Sequence, residues 1–161
     1  MMGGYGSGRP RWRPKAELFR RIDVNRLRKA GMLKAGCYGG WQWTTDGDEV
    51  ASISMRAEAG RLNLIYRIRP GGGEWEDVEE TVQLDETPCH YGGARPWFRC
   101  PGVRNGRWCG RRVAKLYLGQ RYFVCRHCLR LAYSSQSEEP MNRHLRRANK
   151  IRMALGGEPG T

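Results

Sequence analysis

Four cysteines in the C-terminal half constrain this chain more than any other feature. Cys100, Cys109, Cys125 and Cys128 stand as Cys-x8-Cys, fifteen intervening residues, then Cys-x2-Cys. Two cysteine pairs joined by a strand–turn–strand stretch have the layout of a zinc ribbon, in which one Zn2+ takes four thiolates tetrahedrally. A shell closed by sulfur leaves no place for a catalytic water, so the expected ion is structural. Cys125-Arg126-His127-Cys128 reads as a tight knuckle. The first pair opens as one at Cys100-Pro101-Gly102 and closes as one at Cys109-Gly110, with residues 103–108 inserted as a basic, Trp-bearing loop. Other readings stay open here. The cysteines could be free or disulfide-paired, and Cys89, His90 or His127 could join or replace the ligands. Thioredoxin-type chemistry at the CxxC needs a helix N-terminus after a strand, which the flanking β-like runs do not offer. Cys37 reads as a buried or free thiol.

The chain has 161 residues with 39% hydrophobic content and 22 glycines, which suits one small domain with appendages and a modest core. A four-thiolate metal site can add on the order of 10 kcal/mol to folding where burial is thin. The net charge is +13, and it is unevenly spread. Residues 1–31 carry +7, residues 32–95 carry −5, and residues 96–136 hold nine Lys/Arg and no acid. Basic ends around an acidic middle, with the cysteine module among the basic parts, are the asymmetry expected of a polyanion binder. The start is Gly-rich and polar, without the apolar run of a secretory signal, and no segment approaches ~20 apolar residues. The expected location is the cytoplasm, where this cysteine usage favours metal over disulfides.

Residues 1–14 form a Gly/Arg arm in which Arg9, Arg11 and Arg13 interleave with Tyr5 and Trp12, suited to laying guanidinium groups along phosphates and an aromatic on a base. Residues 15–95 read as short N-terminal helices and an antiparallel sheet. The helical pieces are 16–21 and 24–30, the second capped by Asp23 and stopped by Gly31, with Leu18, Ile22 and Leu27 facing a core. Period-two alternation from Trp41 to Leu84, broken by turns at 46–48, 60 and 71–73, predicts a meander of about four strands that needs a lid. Trp75 continues that pattern, and Tyr91, Trp97 and Phe98 read as packing residues. Residues 96–136 form the ribbon, with a hairpin over 113–124 between the cysteine pairs. Residues 137–161 read as a basic helix capped by Ser137 and ending before Gly156. Its Met141, Leu145, Ala148, Ile151 and Leu155 lie at helical spacing and read chiefly as a core-packing stripe. The fold class is therefore α+β: a small antiparallel meander with a zinc ribbon, short N-terminal helices and a basic C-terminal helix.

No phosphate-binding loop, nucleophile elbow, zinc-protease or dinucleotide motif occurs. His90, Asn105, His127 and Asn142 could be imagined as an HNH-type nuclease, but no spacing supports it. The opening Gly3-Gly4-Tyr5-Gly6-Ser7-Gly8-Arg9, the segment Asp23-Val24-Asn25-Arg26-Leu27, the run Arg111-Arg112-Val113-Ala114-Lys115-Leu116-Tyr117-Leu118 and the Arg-rich end together resemble a family of small proteobacterial proteins. These also occur on mobile elements, and the family brings no assigned activity. The resemblance implies a bacterial, cytoplasmic, phage- or element-borne protein. Relatives have a tighter first knuckle, from which residues 103–108 depart, and some lack the cysteines.

The expected function is non-enzymatic nucleic-acid binding, DNA ahead of RNA. The candidate contacts are Arg9, Arg11, Trp12, Arg13, Arg104, Arg107, Trp108, Arg111, Arg112, Lys115, Arg121, Arg126, Arg130, Arg143, Arg146, Arg147 and Lys150. The alternatives are an adaptor docking on a nucleoprotein machine such as RNA polymerase or a phage complex, and the HNH-like nuclease.

Overall fold

The computed structural model describes residues 13–136 and 140–158. The arm residues Arg9, Arg11 and Trp12 and the cap Ser137 lie outside them. A 3-10 turn over Ala16–Leu18 leads into β1, Arg21–Asp23, and α1, Val24–Lys29. The meander follows as β2 Tyr38–Thr45, β3 Asp48–Glu58, β4 Arg61–Ile68 and β5 Glu76–Pro88. Then come β6 Ala94–Arg99, β7 Val103–Arg104, β8 Arg107–Trp108, β9 Arg112–Val113, β10 Lys115–Leu118 and β11 Phe123–Val124. The last element is α2, Pro140–Ala154.

Six strands form one antiparallel sheet in the order β2-β3-β4-β5-β6-β9, curled into a half-barrel. Alternation does what period two dictates: Ile53, Met55 and Ala57 on β3, Leu62, Leu64 and Tyr66 on β4, and Val78 and Val82 on β5 are buried on one face. Two things cover that face. One is α1, which contributes Val24 and Leu27; Asp23 caps it by accepting the Asn25 amide at 2.9 Å, and Gly31 ends the segment at φ +73°. The other is a second sheet, β1-β10-β11, which contributes Ile22, Leu116 and Phe123. Phe123 stacks on Trp43 at 6.2 Å and meets the edge of Tyr66 at 5.4 Å. The chain passes between the sheets at Ala114, whose carbonyl accepts the Val24 amide at 3.0 Å. Cys100 and Cys125 belong to the same buried cluster as the sheet residues.

One buried acid sits in this interior. Glu80 accepts from the Tyr66 hydroxyl at 2.6 Å and from the Phe123 amide at 2.9 Å, tying β5 to β11. It occupies the inward position between Val78 and Val82, where the strand's alternation alone predicts an apolar residue.

Four expectations are corrected. Residues 16–21 are not a helix: a piece this short cannot offset helix nucleation, and β10 offers an edge to which 21–23 pair antiparallel. Leu18 is 81% exposed instead of buried. Trp75 and Tyr91 are exposed, since each sits in a connection outside the ladder. The apolar residues of α2 do not pack into the core: Met141, Ile151 and Leu155 are exposed and absent from both buried clusters.

Candidate functional site

The two cysteine pairs converge at the edge of the half-barrel. The first pair is closed by backbone bonds, with the Cys109 amide donating to the Gly102 carbonyl at 2.7 Å and the Gly110 amide to the Cys100 carbonyl at 3.2 Å. Residues 103–108 are ordered between them as a hairpin, β7 with β8, turned at Asn105 and Gly106 with φ +52° and +72°. That turn is the Asn-Gly type that matches strand twist. The second pair closes when the Cys128 amide donates to the Cys125 carbonyl at 3.0 Å, and the Cys125 amide donates to Cys100 Sγ at 3.2 Å.

Sγ–Sγ separations are 3.8 Å for Cys100–Cys128, 3.8 Å for Cys109–Cys125 and 3.7 Å for Cys125–Cys128. All four sulfurs lie within 4.8 Å of one another. These distances are far beyond a disulfide bond of about 2.05 Å, so the cysteines are four free thiols disposed around one point. They can hold a metal ion. Cys89, His90 and His127 are outside the group. The thiols differ in acidity. Cys125 falls to about 4 because it accepts a hydrogen bond from the Cys100 thiol, helped by the Cys128 and His127 amides. Cys100 moves up through that same shared bond and burial, and burial lifts Cys128 to about 12. A divalent cation would displace the protons these sulfurs retain.

Beside the knuckles lies a cleft of about 810 Å3 lined by Arg13, Pro14, Arg104, Arg111, Arg126, His127, Leu129, Arg130, Leu131 and Gln136. Five arginines face it, and among the described residues no acid does. Arg126 and His127 occupy the two positions between Cys125 and Cys128, and Arg104 stands on the hairpin inside the first pair. Arg13 is brought in by a bridge: the Ala132 amide donates to the Pro14 carbonyl at 3.0 Å and the Ala16 amide to the Ala132 carbonyl at 2.9 Å. Arg126 lies over the Tyr133 ring at 5.2 Å, which holds its guanidinium in place. Arg130 adopts φ +54°, the left-handed region that non-glycine residues avoid. No ion pair to any of these five arginines occurs among the described residues.

The other candidate residues are placed elsewhere. Arg112 pairs with Asp85 at 2.7 Å, and Arg99 reaches the same carboxylate oxygen, which together hold Asp85 below the usual carboxylate range. Lys115 faces Asp23 at 3.8 Å, and Arg121 pairs with Glu76. In the β7–β8 ladder Arg104 opposes Arg107 and Val103 opposes Trp108, so by pleat Trp108 lies on the face away from Arg104. Its ring covers Gly110, where an added Cβ would come within 2.8 Å of it. Arg143, Arg146, Arg147 and Lys150 stand on α2. His90, Asn105, His127 and Asn142 fall on four different segments: the β5–β6 turn, the β7–β8 turn, the second knuckle and α2.

No helix among the described residues is long and apolar enough to cross a membrane. Comparison of the chain with protein-family models, curated proteins and solved structures gives no match.

Proposed function

We propose that this is a non-enzymatic nucleic-acid-binding protein in which Zn2+ on Cys100, Cys109, Cys125 and Cys128 fixes an arginine cleft that grips phosphates. The observation that carries this reading is the cleft itself: five arginines converge there, and none of the described acidic residues lines it. Guanidinium forks suit bidentate contact with phosphate oxygens. Zinc is favoured because four sulfurs about 2.3 Å from one centre stand about 3.8 Å apart in a tetrahedron; three of the six separations here are 3.7–3.8 Å and all lie within 4.8 Å. All-thiolate tetrahedral shells select zinc or iron–sulfur chemistry over hard cations. DNA is the ligand to test first.

The test is equilibrium binding of the metal-loaded chain to a DNA duplex, single-stranded DNA and RNA across a salt series. If all five cleft arginines touch phosphates, log K falls against log salt with a slope of about −4 to −5 on duplex. Replacing Arg111 by Ala lowers that slope by about one. Replacing Arg112 by Ala leaves it unchanged, because Arg112 is committed to Asp85. No binding to any of the three at low salt sinks the reading.

A second reading, an adaptor for a nucleoprotein machine, draws support from α2. This basic helix exposes Met141, Leu145, Ile151 and Met153 instead of burying them, the kind of face that docks in a partner's groove. Capture of one stoichiometric protein that survives nuclease and high salt would favour it.

A further inference from the structure

We propose that the hairpin β7–β8, inserted in the first knuckle, enters the major groove of duplex DNA and sets Arg104 and Arg107 on guanine edges. The inference rests on the reading of this protein as a nucleic-acid binder and names the form of ligand it takes.

Residues 103–108 are all exposed, between the buried Gly102 and the half-buried Cys109. The hairpin is held at both ends. At its base the Cys109 amide donates to the Gly102 carbonyl at 2.7 Å. There too the Trp108 ring lies against Gly110, whose carbonyl accepts from Arg99 Nη1 at 3.0 Å. At its tip Asn105 and Gly106, with φ +52° and +72°, make the turn that matches strand twist. The pairing sets Arg104 directly opposite Arg107 on one face and Val103 opposite Trp108 on the other. Two like charges directly opposite each other destabilise a strand pair. A local cost of this kind marks a functional surface, and an anionic groove lined with acceptors turns the repulsion into attraction. Arg104 also lines the cleft, so the basic face of the hairpin continues the surface that grips phosphates. The dimensions match a groove. From Val103 to the turn the ribbon runs about 7 Å at about 3.4 Å per residue, and its strands lie about 4.8 Å apart. The major groove of B-DNA is about 12 Å wide and about 8.5 Å deep and admits a two-stranded ribbon, whereas the minor groove is about 6 Å wide. On the major-groove floor guanine offers O6 and N7, a pair of acceptors that one guanidinium fork matches. An RNA duplex gives no such entrance, because the A-form major groove is deep and narrow.

The experiment measures binding of the full-length metal-loaded protein to duplexes of equal length. These are G·C-rich DNA, A·T-rich DNA and the G·C-rich sequence as RNA. Two more carry the G·C-rich sequence with 7-deazaguanine, which lacks N7, or with inosine, which lacks the minor-groove amino group. The expected result is that G·C-rich DNA binds about tenfold or more tightly than A·T-rich DNA. 7-Deazaguanine removes most of that preference, inosine keeps it, and the RNA duplex binds about tenfold or more weakly than its DNA counterpart. Arg107→Ala narrows the G·C preference by about threefold or more, and Arg107→Lys restores part of it. Equal binding of G·C-rich and A·T-rich DNA overturns the inference while leaving nucleic-acid binding intact. So does a preference lost with inosine and kept with 7-deazaguanine, or binding to single strands and to none of the duplexes. Binding to no nucleic acid ends both readings.

Discussion

Tyr66 has one hydroxyl proton and two oxygens in reach: Glu80 Oε1 at 2.6 Å and the Arg121 carbonyl at 2.7 Å. The Tyr66 hydroxyl donates to both, so its one proton is shared between them. Burial raises the Glu80 pKa above its ordinary value, against the downward pull of the bonds from Tyr66 and the Phe123 amide. A carboxyl whose folded pKa is raised binds its proton more tightly in the folded state. Its contribution is present below the unfolded value, about 4.5, and is lost as pH rises through the folded one. Glu80→Gln, with its amide oxygen in the place of Oε1, keeps the acceptor for both the Tyr66 hydroxyl and the Phe123 amide without the ionisation. It should remove this part of the pH dependence and match or exceed the parent in stability at neutral pH. Glu80→Ala should cost about 1–3 kcal/mol by orphaning that amide. Urea midpoints from pH 4 to 8 check both, and a Gln variant that keeps the parent's pH dependence contradicts this role for Glu80. Arg130 gives a second test at this scale. At φ +54° the arginine backbone is strained by about 1–2 kcal/mol relative to glycine. Arg130→Gly should therefore leave the melting temperature unchanged or raised while weakening phosphate binding, a split no purely structural residue would show.

Among the elements, the first knuckle decides whether the cysteines meet. Gly102 sits so close that an added Cβ would come within 2.9 Å of Cys128 Sγ and 3.2 Å of Val124. Gly102→Ala should loosen the cluster and release its metal to a chelator faster than the parent does, read by a zinc indicator. The same change at Gly39 meets only the flexible end of Met32 and should be tolerated. The inserted hairpin is legible in the sequence, since Asn105-Gly106 is a strong two-residue turn signal. Strand β1 is not, because three residues become a strand only when β10 supplies the edge. The exposed stripe of α2 implies that the body folds without it. Deleting residues 137–161 should leave the midpoint of thermal unfolding within a few degrees of the parent, and collapse of the fold would show that α2 has a structural role.

At the scale of the whole molecule, the parts legible in sequence are those with a fixed period or spacing. Alternation placed the meander from β2 to β5, and the cysteine spacing brought four sulfurs to one point. What stayed illegible depends on partners distant in sequence. Nothing near Arg112, Lys115 or Arg121 announces that Asp85, Asp23 and Glu76 will pair with them. Nothing near Arg13 announces that Ala132 will draw it beside the second knuckle. The cleft is therefore a tertiary product, with its arginines supplied by three separate stretches of chain and most of them anchored on the cysteine pairs. On the proposed reading metal and phosphate binding are one property, which a single measurement tests. The affinity of the metal-loaded chain for a nucleic-acid strand is read before and after its metal is withdrawn by a chelator, and again after zinc is restored. The account predicts loss of binding with the metal and recovery with one zinc per chain. Unchanged affinity in the metal-free protein would contradict it.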